Sequence, residues 1–378
     1  MRRVPIVFFL ALAASVIGCV STRPEVQTRP ATAGVSTADA AAGAALYPAP
    51  LGHQWGYIDR SGAVVLAPRF DEAYPFVEGR ARVRIRDRWG FANPSGETVI
   101  APEYDAVYDF SGERARVMRY VGGAVQGNER YGFVDPTGAV VIEPTLAAAY
   151  DYADGRAPVL AEAHAPLFGL PVMRRLGLWL PRRSAWLLLD PAGHVRGTVS
   201  QLRVLRFAGR RAPFQAHGFL PGVGGPWGYV DLDGTVVVEP QFEGAFLFRE
   251  CLARVVQDGH IGFIDSTGAF VIPPRFEAAG DFSGGLAAFR QGDRWGYVDR
   301  AGVIVIPLRF EAALDFAEGL AVVQERGLFG YVRPDGALAI PARFTYAGSF
   351  RNGLAFVREG QRAGYIDATG AYVWRQPE

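Results

Sequence analysis

The residues best suited to binding a charged partner are the arginines between His164 and His217, where nine arginines accompany a single acid, Asp190. Large apolar side chains are interleaved with them. That mixture could contact an anionic glycan, lipid headgroups or an acidic protein. The simpler interpretation is a diverged repeat whose arginines are solvated. The candidate partner-binding residues are Arg174, Arg175, Trp179, Arg182, Arg183, Arg210 and Arg211.

Other reactive side chains form no constellation that indicates catalysis. The five histidines lie far apart, without the spacing of a zinc site: His53, His164, His194, His217 and His260. No pair of carboxylates stands out as a glycosidase would require, and no phosphate-binding loop or nucleophile elbow is present. We therefore expect no metal, no cofactor and no enzyme activity. The net charge of +1 argues against a nucleic-acid partner.

The first 19 residues read as an export signal. Arg2 and Arg3 precede an apolar run that is too short to span a bilayer stably. The run ends in Val16-Ile17-Gly18-Cys19, which resembles the lipobox of bacterial lipoproteins. The resemblance implies cleavage before Cys19 and acylation of that residue. Because Ser21 is not aspartate, analogy with enteric sorting favours the outer over the inner membrane of a bacterial envelope.

A phrase beginning Trp-Gly recurs along the rest of the chain, and towards the C-terminus it returns every 34 residues. Its glycines are Gly56, Gly90, Gly132, Gly228, Gly262, Gly296, Gly330 and Gly364. A worn copy, Trp186-Leu187-Leu188-Leu189-Asp190, lies between the third and fourth of these. A fixed period of this size is typical of units that bury their apolar faces only by stacking on neighbours.

Each copy predicts the same local structure. A strand containing Trp-Gly meets a turn that begins at aspartate and ends at glycine, a second strand follows, and proline ends its pairing. A connector with two large apolar residues six apart leads to a third strand. We expect these pairs to form the core between repeats: Phe70/Phe76, Tyr104/Phe110, Leu146/Tyr152, Phe242/Phe248, Phe276/Phe282, Phe310/Phe316 and Phe344/Phe350.

This repeated sequence pattern resembles that of the WG-repeat family. The resemblance rests on phrases such as Trp295-Gly296-Tyr297-Val298-Asp299, the turn glycine and the connector Phe276-x-x-Ala279-x-x-Phe282. It covers roughly residues 53–374, apart from a central irregular stretch. It implies a β-rich repeat protein that mediates interactions and has no family-wide catalytic residues. Departures are Ala92-Asn93 in the second copy and Arg333 in place of aspartate in the eighth.

The predicted fold is therefore all-β, built from tandem repeats of three-stranded antiparallel meanders. We favour an open, curved array, because the first repeat lacks a partner strand; a closed ring like a β-propeller is the alternative. The predicted segments are a signal peptide at 1–19, a flexible tether at 20–50, repeats at 51–155, a degenerate repeat with the arginine-rich insertion at 156–226, and repeats at 227–378.

Three functions remain open on this pattern. The first is a non-catalytic, lipid-anchored scaffold for a protein or an envelope polymer. The second is a carbohydrate- or peptidoglycan-binding module. The third is an enzyme whose site is confined to residues 156–226. Because insertions into repeat arrays usually project from one face, often the binding face, residues 156–226 are the first place to look for a partner.

Replacing Cys19→Ser should release the protein from membranes, since the acyl chains that the lipobox implies need the cysteine sulfur. The measurement is fractionation of cells together with incorporation of labelled palmitate. Membrane retention of the variant without label would contradict the anchor.

Overall fold

The computed structural model describes residues 45–124, 127–161, 185–200, 203–218 and 224–376. The predicted signal peptide and most of the predicted tether lie outside these residues. So do Arg174, Arg175, Trp179, Arg182 and Arg183. The described part is all-β, as the sequence predicts, and no helix in it is long and apolar enough to cross a membrane.

The described strands form nine antiparallel sheets, numbered here in chain order. Sheet 1 contains β1 (Tyr47–Leu51), β2 (Gln54–Ile58) and β3 (Val64–Phe70). Sheet 2 contains β4 (Glu72–Ala73), β5 (Ala81–Ile85), β6 (Arg88–Ala92) and β7 (Thr98–Tyr104). Sheet 3 contains β8 (Ala106–Val107), β9 (Ala115–Tyr120), β10 (Glu129–Val134) and β11 (Val140–Leu146).

The next three sheets include the region where the period breaks. Sheet 4 contains β12 (Ala148–Ala149), β13 (Ala157–Leu160), β14 (Trp186–Leu189) and β15 (Val195–Val199). Sheet 5 contains β16 (Arg203–Val204), β17 (Ala212–His217), β18 (Gly224–Val230) and β19 (Val236–Phe242). Sheet 6 contains β20 (Gly244–Arg249), β21 (Leu252–Gln257), β22 (His260–Ile264) and β23 (Phe270–Phe276).

The last three sheets follow the 34-residue period. Sheet 7 contains β24 (Ala278–Ala279), β25 (Leu286–Gln291), β26 (Arg294–Asp299) and β27 (Ile304–Phe310). Sheet 8 contains β28 (Ala312–Ala313), β29 (Ala321–Glu325), β30 (Leu328–Val332) and β31 (Leu338–Phe344). Sheet 9 contains β32 (Tyr346–Ala347), β33 (Ala355–Glu359), β34 (Arg362–Ile366) and β35 (Tyr372–Arg375).

The three strands that each repeat predicts are present, and sheets 2 to 9 add a fourth. The connector between the two large apolar residues pairs briefly with the next strand, as Ala73 does with Val83. The strand has two residues in every one of these sheets except sheet 6, too few to show an alternating pattern in the sequence. The predicted core pairs are buried, with Phe76 half-buried.

The sheets form a closed nine-bladed β-propeller, so the alternative fold is correct and the favoured open array is not confirmed. Nine apolar clusters each join one sheet to the next. The ninth cluster joins sheet 9 to sheet 1 and contains Tyr47, Ala49, Ile58, Tyr365 and Trp374. The two ends of the described chain therefore close the ring by face-to-face packing.

A tyrosine hydroxyl repeats the same contact between neighbouring sheets. Tyr57, Tyr229, Tyr297 and Tyr331 each donate to a backbone carbonyl 17 residues further on, at 2.8 Å. The last tyrosine of this series, Tyr365, instead donates to the Pro48 carbonyl at 3.0 Å. That bond makes the closing interface chemically equivalent to the others.

The composition of strand β1 explains why closure of the ring was not predicted from the sequence. Pro48 and Pro50 occupy the places of Arg82 and Arg84, whose carbonyls accept hydrogen bonds from the first strand of sheet 2. Sheet 1 has no such strand, and proline has no NH group to leave unpaired at the resulting edge. The segment Tyr47–Leu51 is thus a strand, although the composition of residues 20–50 predicted a tether. It supplies the partner that the first repeat seemed to lack.

The Trp-Gly glycine is required by a close approach across the sheet. A Cβ atom on Gly90 would lie 2.4 Å from the Ile100 carbonyl oxygen, and one on Gly56 would lie 2.4 Å from the Leu66 oxygen. The register shifts there, between Trp89 and Phe91 in sheet 2, so the outer strand bulges over the glycine. No side chain fits without displacing this backbone.

The worn copy folds as an ordinary sheet because its bulge is absent at that point. Leu187 pairs with Thr198 in regular register, which leaves room for a side chain where the other copies need glycine. Leu187 is fully buried. Asp190 keeps the turn, since its carboxylate accepts the backbone NH groups of Ala192 and His194.

The ring has two distinct ends. At one end lie the turns that begin with aspartate, such as residues 59–62, and the tight turns that precede the second strands, such as residues 78–79. We call this the aspartate-turn end. At the other end lie the hairpins that precede the Trp-Gly strands, such as residues 86–87. We call this the insertion end.

Replacing Tyr365→Phe should lower the free energy of unfolding by about 1–3 kcal/mol, because the Pro48 carbonyl would stay buried without a donor. Hydrogen exchange at the Ala49 amide of β1 should accelerate. Denaturant titration and exchange measured by mass spectrometry check both effects.

The control is Tyr331→Phe, which removes the same bond between sheets 8 and 9. It should cost similar stability without selectively accelerating exchange in β1. Unchanged β1 exchange in Tyr365→Phe would argue against closure through this bond.

Candidate functional site

The centre of the ring carries a network of arginines and aspartates that link neighbouring sheets. The aspartates follow the first strand of a sheet, and the arginines lie in the second strand of the preceding sheet. The Nε atom of the arginine lies 2.6–2.8 Å from the carboxylate in three such pairs: Arg82–Asp109, Arg116–Asp151 and Arg254–Asp281.

The first of these pairs shows how the arginine is held. Arg82 donates through Nη1 to the Val107 carbonyl at 3.5 Å as well as to Asp109. Its guanidinium carbon lies 4.1 Å from the ring centre of Tyr74, within the range of a cation–π contact. Each arginine thus rests on an aromatic ring of its own sheet and pairs with an acid of the next.

Sheet 5 reverses this pattern. Arg206 stands where Asp109 and Asp151 stand in sheets 3 and 4, and Pro158 of sheet 4 stands where an arginine would pair with it. No carboxylate of the described residues lies within 4 Å of Arg206. Its Nε atom is shielded from solvent and has no acceptor among the protein atoms described. Sheet 5 therefore brings an unpaired cation to the axis.

A cavity of about 300 Å³ lies at this position. Sheets 2, 3, 4, 5 and 9 contribute to its wall, so it lies on the ring axis. Most of its residues follow the first strands of their sheets, close to the aspartate-turn end. The lining residues are Val77, Arg82, Tyr108, Asp109, Phe110, Ser111, Asp151, Arg206 and Arg351.

Sheet 8 departs from the pattern in a different way. Asp315 keeps the acid, but Ala288 replaces the arginine of the preceding sheet, and Gly280 replaces the aromatic residue beneath it. A Cβ atom on Gly280 would lie 2.3 Å from Asp315 Oδ1, so the carboxylate occupies the vacated space. Loss of hydration and then the Asp281 carboxylate raise the pKa of Asp315, whereas Arg254 and Arg249 lower it. Asp315 as a whole residue is exposed.

The structure places two of the seven predicted partner-binding residues. Arg210 is exposed in the tight turn of sheet 5, and its backbone NH donates to Asp154 Oδ2 at 2.7 Å. Arg211 follows it at the position of Arg80 and Arg156, which donate to carbonyls of the next sheet. Both therefore lie at the aspartate-turn end. The strands that flank residues 162–184 meet that segment at the insertion end, so its two junctions with sheet 4 lie at the opposite end of the ring from Arg210 and Arg211.

Hairpins at the insertion end differ sharply between two parts of the ring. Six sheets close this hairpin with two residues, as Ile85 and Arg88 pair around Arg86 and Asp87. The other three sheets carry longer segments there, at residues 121–128, 161–185 and 218–223. These are sheets 3, 4 and 5, which are neighbours. The breaks in the period thus converge on one sector of one end.

The axial network of arginines and aspartates was not predicted from the sequence. Its signal was nevertheless present, because an arginine in the second strand of one sheet occurs with an aspartate after the first strand of the next in three copies. The pairing becomes visible only when each repeat is read against the following one. The turn aspartates are structural, as expected: Asp59 Oδ1 accepts the backbone NH groups of Ser61 and Ala63.

Seven segments match the pattern described as "WG containing repeat": residues 55–89, 89–119, 131–161, 227–259, 261–295, 295–329 and 329–362. The chain belongs to this family. The worn copy falls outside the matched segments, although in the structure it forms sheet 4 of the ring. No curated protein matches this WG-repeat chain.

Among solved structures, the WG-repeat ring is similar to one titled "Crystal structure of the eukaryotic initiation factor". The TM-score is 0.59 at 11% identity, covering 88% of this chain and 96% of that one. A structure titled "Structure of Dos1 propeller" matches with a TM-score of 0.40 at 11% identity, covering 79% and 91%. Hsv2p of Kluyveromyces lactis matches with a TM-score of 0.32 at 10% identity, covering 58% and 74%. The first likeness concerns the fold alone.

Replacing Asp315→Asn should stabilise the WG-repeat ring near pH 7. The raised pKa means that the folded state disfavours the charged carboxylate, and the amide removes that charge while its oxygen can still accept the Asp281 NH. The gain should disappear below about pH 4, where the carboxyl is protonated in both states. Melting temperatures across pH measure this.

The control is Asp109→Asn, which removes the partner of Arg82. It should give no stabilisation at pH 7. A destabilised Asp315→Asn variant at pH 7 would show that the charged form contributes favourably to folding.

Proposed function

We propose that this WG-repeat protein is a non-catalytic, lipid-anchored protein of the bacterial envelope that binds a protein partner at the insertion end of its ring. The observation that carries the proposal is the convergence of the three longer hairpins on sheets 3, 4 and 5. The anchor rests on the lipobox that ends in Cys19.

The sheets beneath these hairpins provide a rigid support. Sheet 4 is packed on both sides, because Leu187 and Leu189 join the cluster with sheet 3 while Trp186 and Leu188 join the cluster with sheet 5. Loops held by such a scaffold can vary in length and sequence without loss of the core, which is why binding residues concentrate on them. A repeat array that lengthens the same hairpin in three neighbouring units is typical of a binding face.

The arginines of the longest hairpin supply the chemistry that the proposal needs. Arg174, Arg175, Arg182 and Arg183 lie within residues 161–185 together with Trp179. Arginine and tryptophan are enriched at the energetic centres of protein interfaces. A protein partner with an acidic surface fits this composition.

The double replacements Arg174/Arg175→Ser and Arg182/Arg183→Ser should each reduce partner capture at least tenfold and leave the melting temperature unchanged. The core of sheet 4 is built by other residues, so binding and folding should separate. Capture is measured by crosslinking in envelope extracts with quantitative mass spectrometry, and stability by thermal unfolding.

The matched control is Arg86/Arg326→Ser, which removes two exposed arginines from the short hairpins of sheets 2 and 8 at the same end. It should leave capture intact. Equal capture by all three variants would refute the proposed surface. Binding to purified peptidoglycan that depends on the same four arginines would replace the protein partner with the glycan.

A further inference from the structure

The axial cavity is a second site, separate from the insertion end, and we propose that it binds a small molecule carrying two anionic groups, either carboxylates or phosphates. The proposal rests on the cavity wall alone and does not depend on the protein partner. The site lies near the aspartate-turn end, so variants at the long hairpins do not test it.

The wall of the cavity carries an excess of positive charge. Asp109 and Asp151 are each neutralised by an arginine of the preceding sheet, through contacts of 2.6 and 2.8 Å. Arg206 and Arg351 also line the cavity, and neither lies within 4 Å of a carboxylate of the described residues. The wall therefore keeps two positive charges without counter-charges.

Arg206 also has an unsatisfied hydrogen-bond donor. Its Nε atom is shielded from solvent and has no acceptor among the described protein atoms. A shielded donor without a partner costs free energy, and the cost is larger for a charged group. A carboxylate or phosphate group accepts from guanidinium through two parallel hydrogen bonds, so it would satisfy this donor and the charge together.

Two departures from the repeat pattern coincide at the unpaired cation. Sheets 2 and 3 supply an arginine to pair with the aspartate of the next sheet. Sheet 4 has Pro158 at that position, and sheet 5 has Arg206 in place of the aspartate. A loss of the aspartate alone would leave an arginine of sheet 4 unpaired instead. The two changes together direct a cation into the cavity.

The positions of the two arginines set the number of anionic groups. Sheets 5 and 9 are four places apart in a ring of nine, so Arg206 and Arg351 approach the axis from nearly opposite sides. A ligand with an anionic group at each end can engage both. The volume of about 300 Å³ lies at the lower limit of small-molecule sites and fits a compact ligand.

The test is isothermal titration calorimetry of the full-length protein in detergent with succinate and with pyrophosphate at low ionic strength. One of them should bind saturably, and the one that binds identifies the anionic group. Acetate, inorganic phosphate and the neutral diamide succinamide should bind at least tenfold more weakly or not at all. Absence of saturable binding by both succinate and pyrophosphate would overturn the proposal.

The variants Arg206→Gln and Arg351→Gln should each weaken binding at least tenfold. Arg333→Gln, which removes an exposed arginine in the turn of sheet 8 outside the cavity wall, is the charge-matched control and should bind as the parent does. Equal affinities for all three variants would show that the ligand does not occupy the axial cavity.

A double variant distinguishes loss of anion binding from loss of folding. Pro158→Arg combined with Arg206→Asp recreates the ion pair of the neighbouring sheets. It should keep or raise the melting temperature and abolish binding of the anion. Folded protein that binds the anion as tightly as the parent would overturn the role of Arg206.

Discussion

Every sheet of this ring has two apolar faces, and the fold depends on covering both. In sheet 2, Ala81 and Val83 pack against sheet 1, while Phe91 and Ile100 pack against sheet 3. A linear array would leave the outer faces of its first and last sheets in water. Here those faces meet, because Tyr47 and its neighbours pack against sheet 9. Closure therefore follows from burial, since the hydrophobic gain scales with the apolar area removed from water.

Local patterns predicted the local structure well, and closure poorly. The turn from aspartate to glycine and the paired aromatics are encoded within one repeat, so a single copy suffices to read them. Closure depends on β1, a strand that contains Pro48 and Pro50 and whose composition therefore resembles that of an unstructured tether. Prolines leave no unpaired NH group at the inner edge of sheet 1, but the absence of an inner neighbour there is a property of the whole ring. Composition could not distinguish an edge strand from an unstructured linker.

For the candidate sites too, features within one repeat were predicted from the sequence and contacts between repeats were not. The long hairpins were visible as breaks in the period, and the strand ends then showed that they share one end of the ring. The axial network was not predicted, because Arg82 and Asp109 lie 27 residues apart and meet only across two sheets. Arg210 and Arg211 were grouped with the hairpin arginines by sequence proximity. Arg210 and Arg211 lie at the aspartate-turn end of sheet 5, whereas the strands that flank residues 161–185 meet that segment at the insertion end of sheet 4.

The direction of β1 has a consequence for how the ring is presented. This strand begins at Tyr47 near the aspartate-turn end and is the innermost strand of sheet 1. The preceding chain therefore joins the ring beside its axis, on the side of the cavity and away from the long hairpins. The entry of the chain into the ring and the bases of the longer hairpins of sheets 3, 4 and 5 therefore lie at opposite ends, so a partner bound at the insertion end would not meet the point where the chain enters.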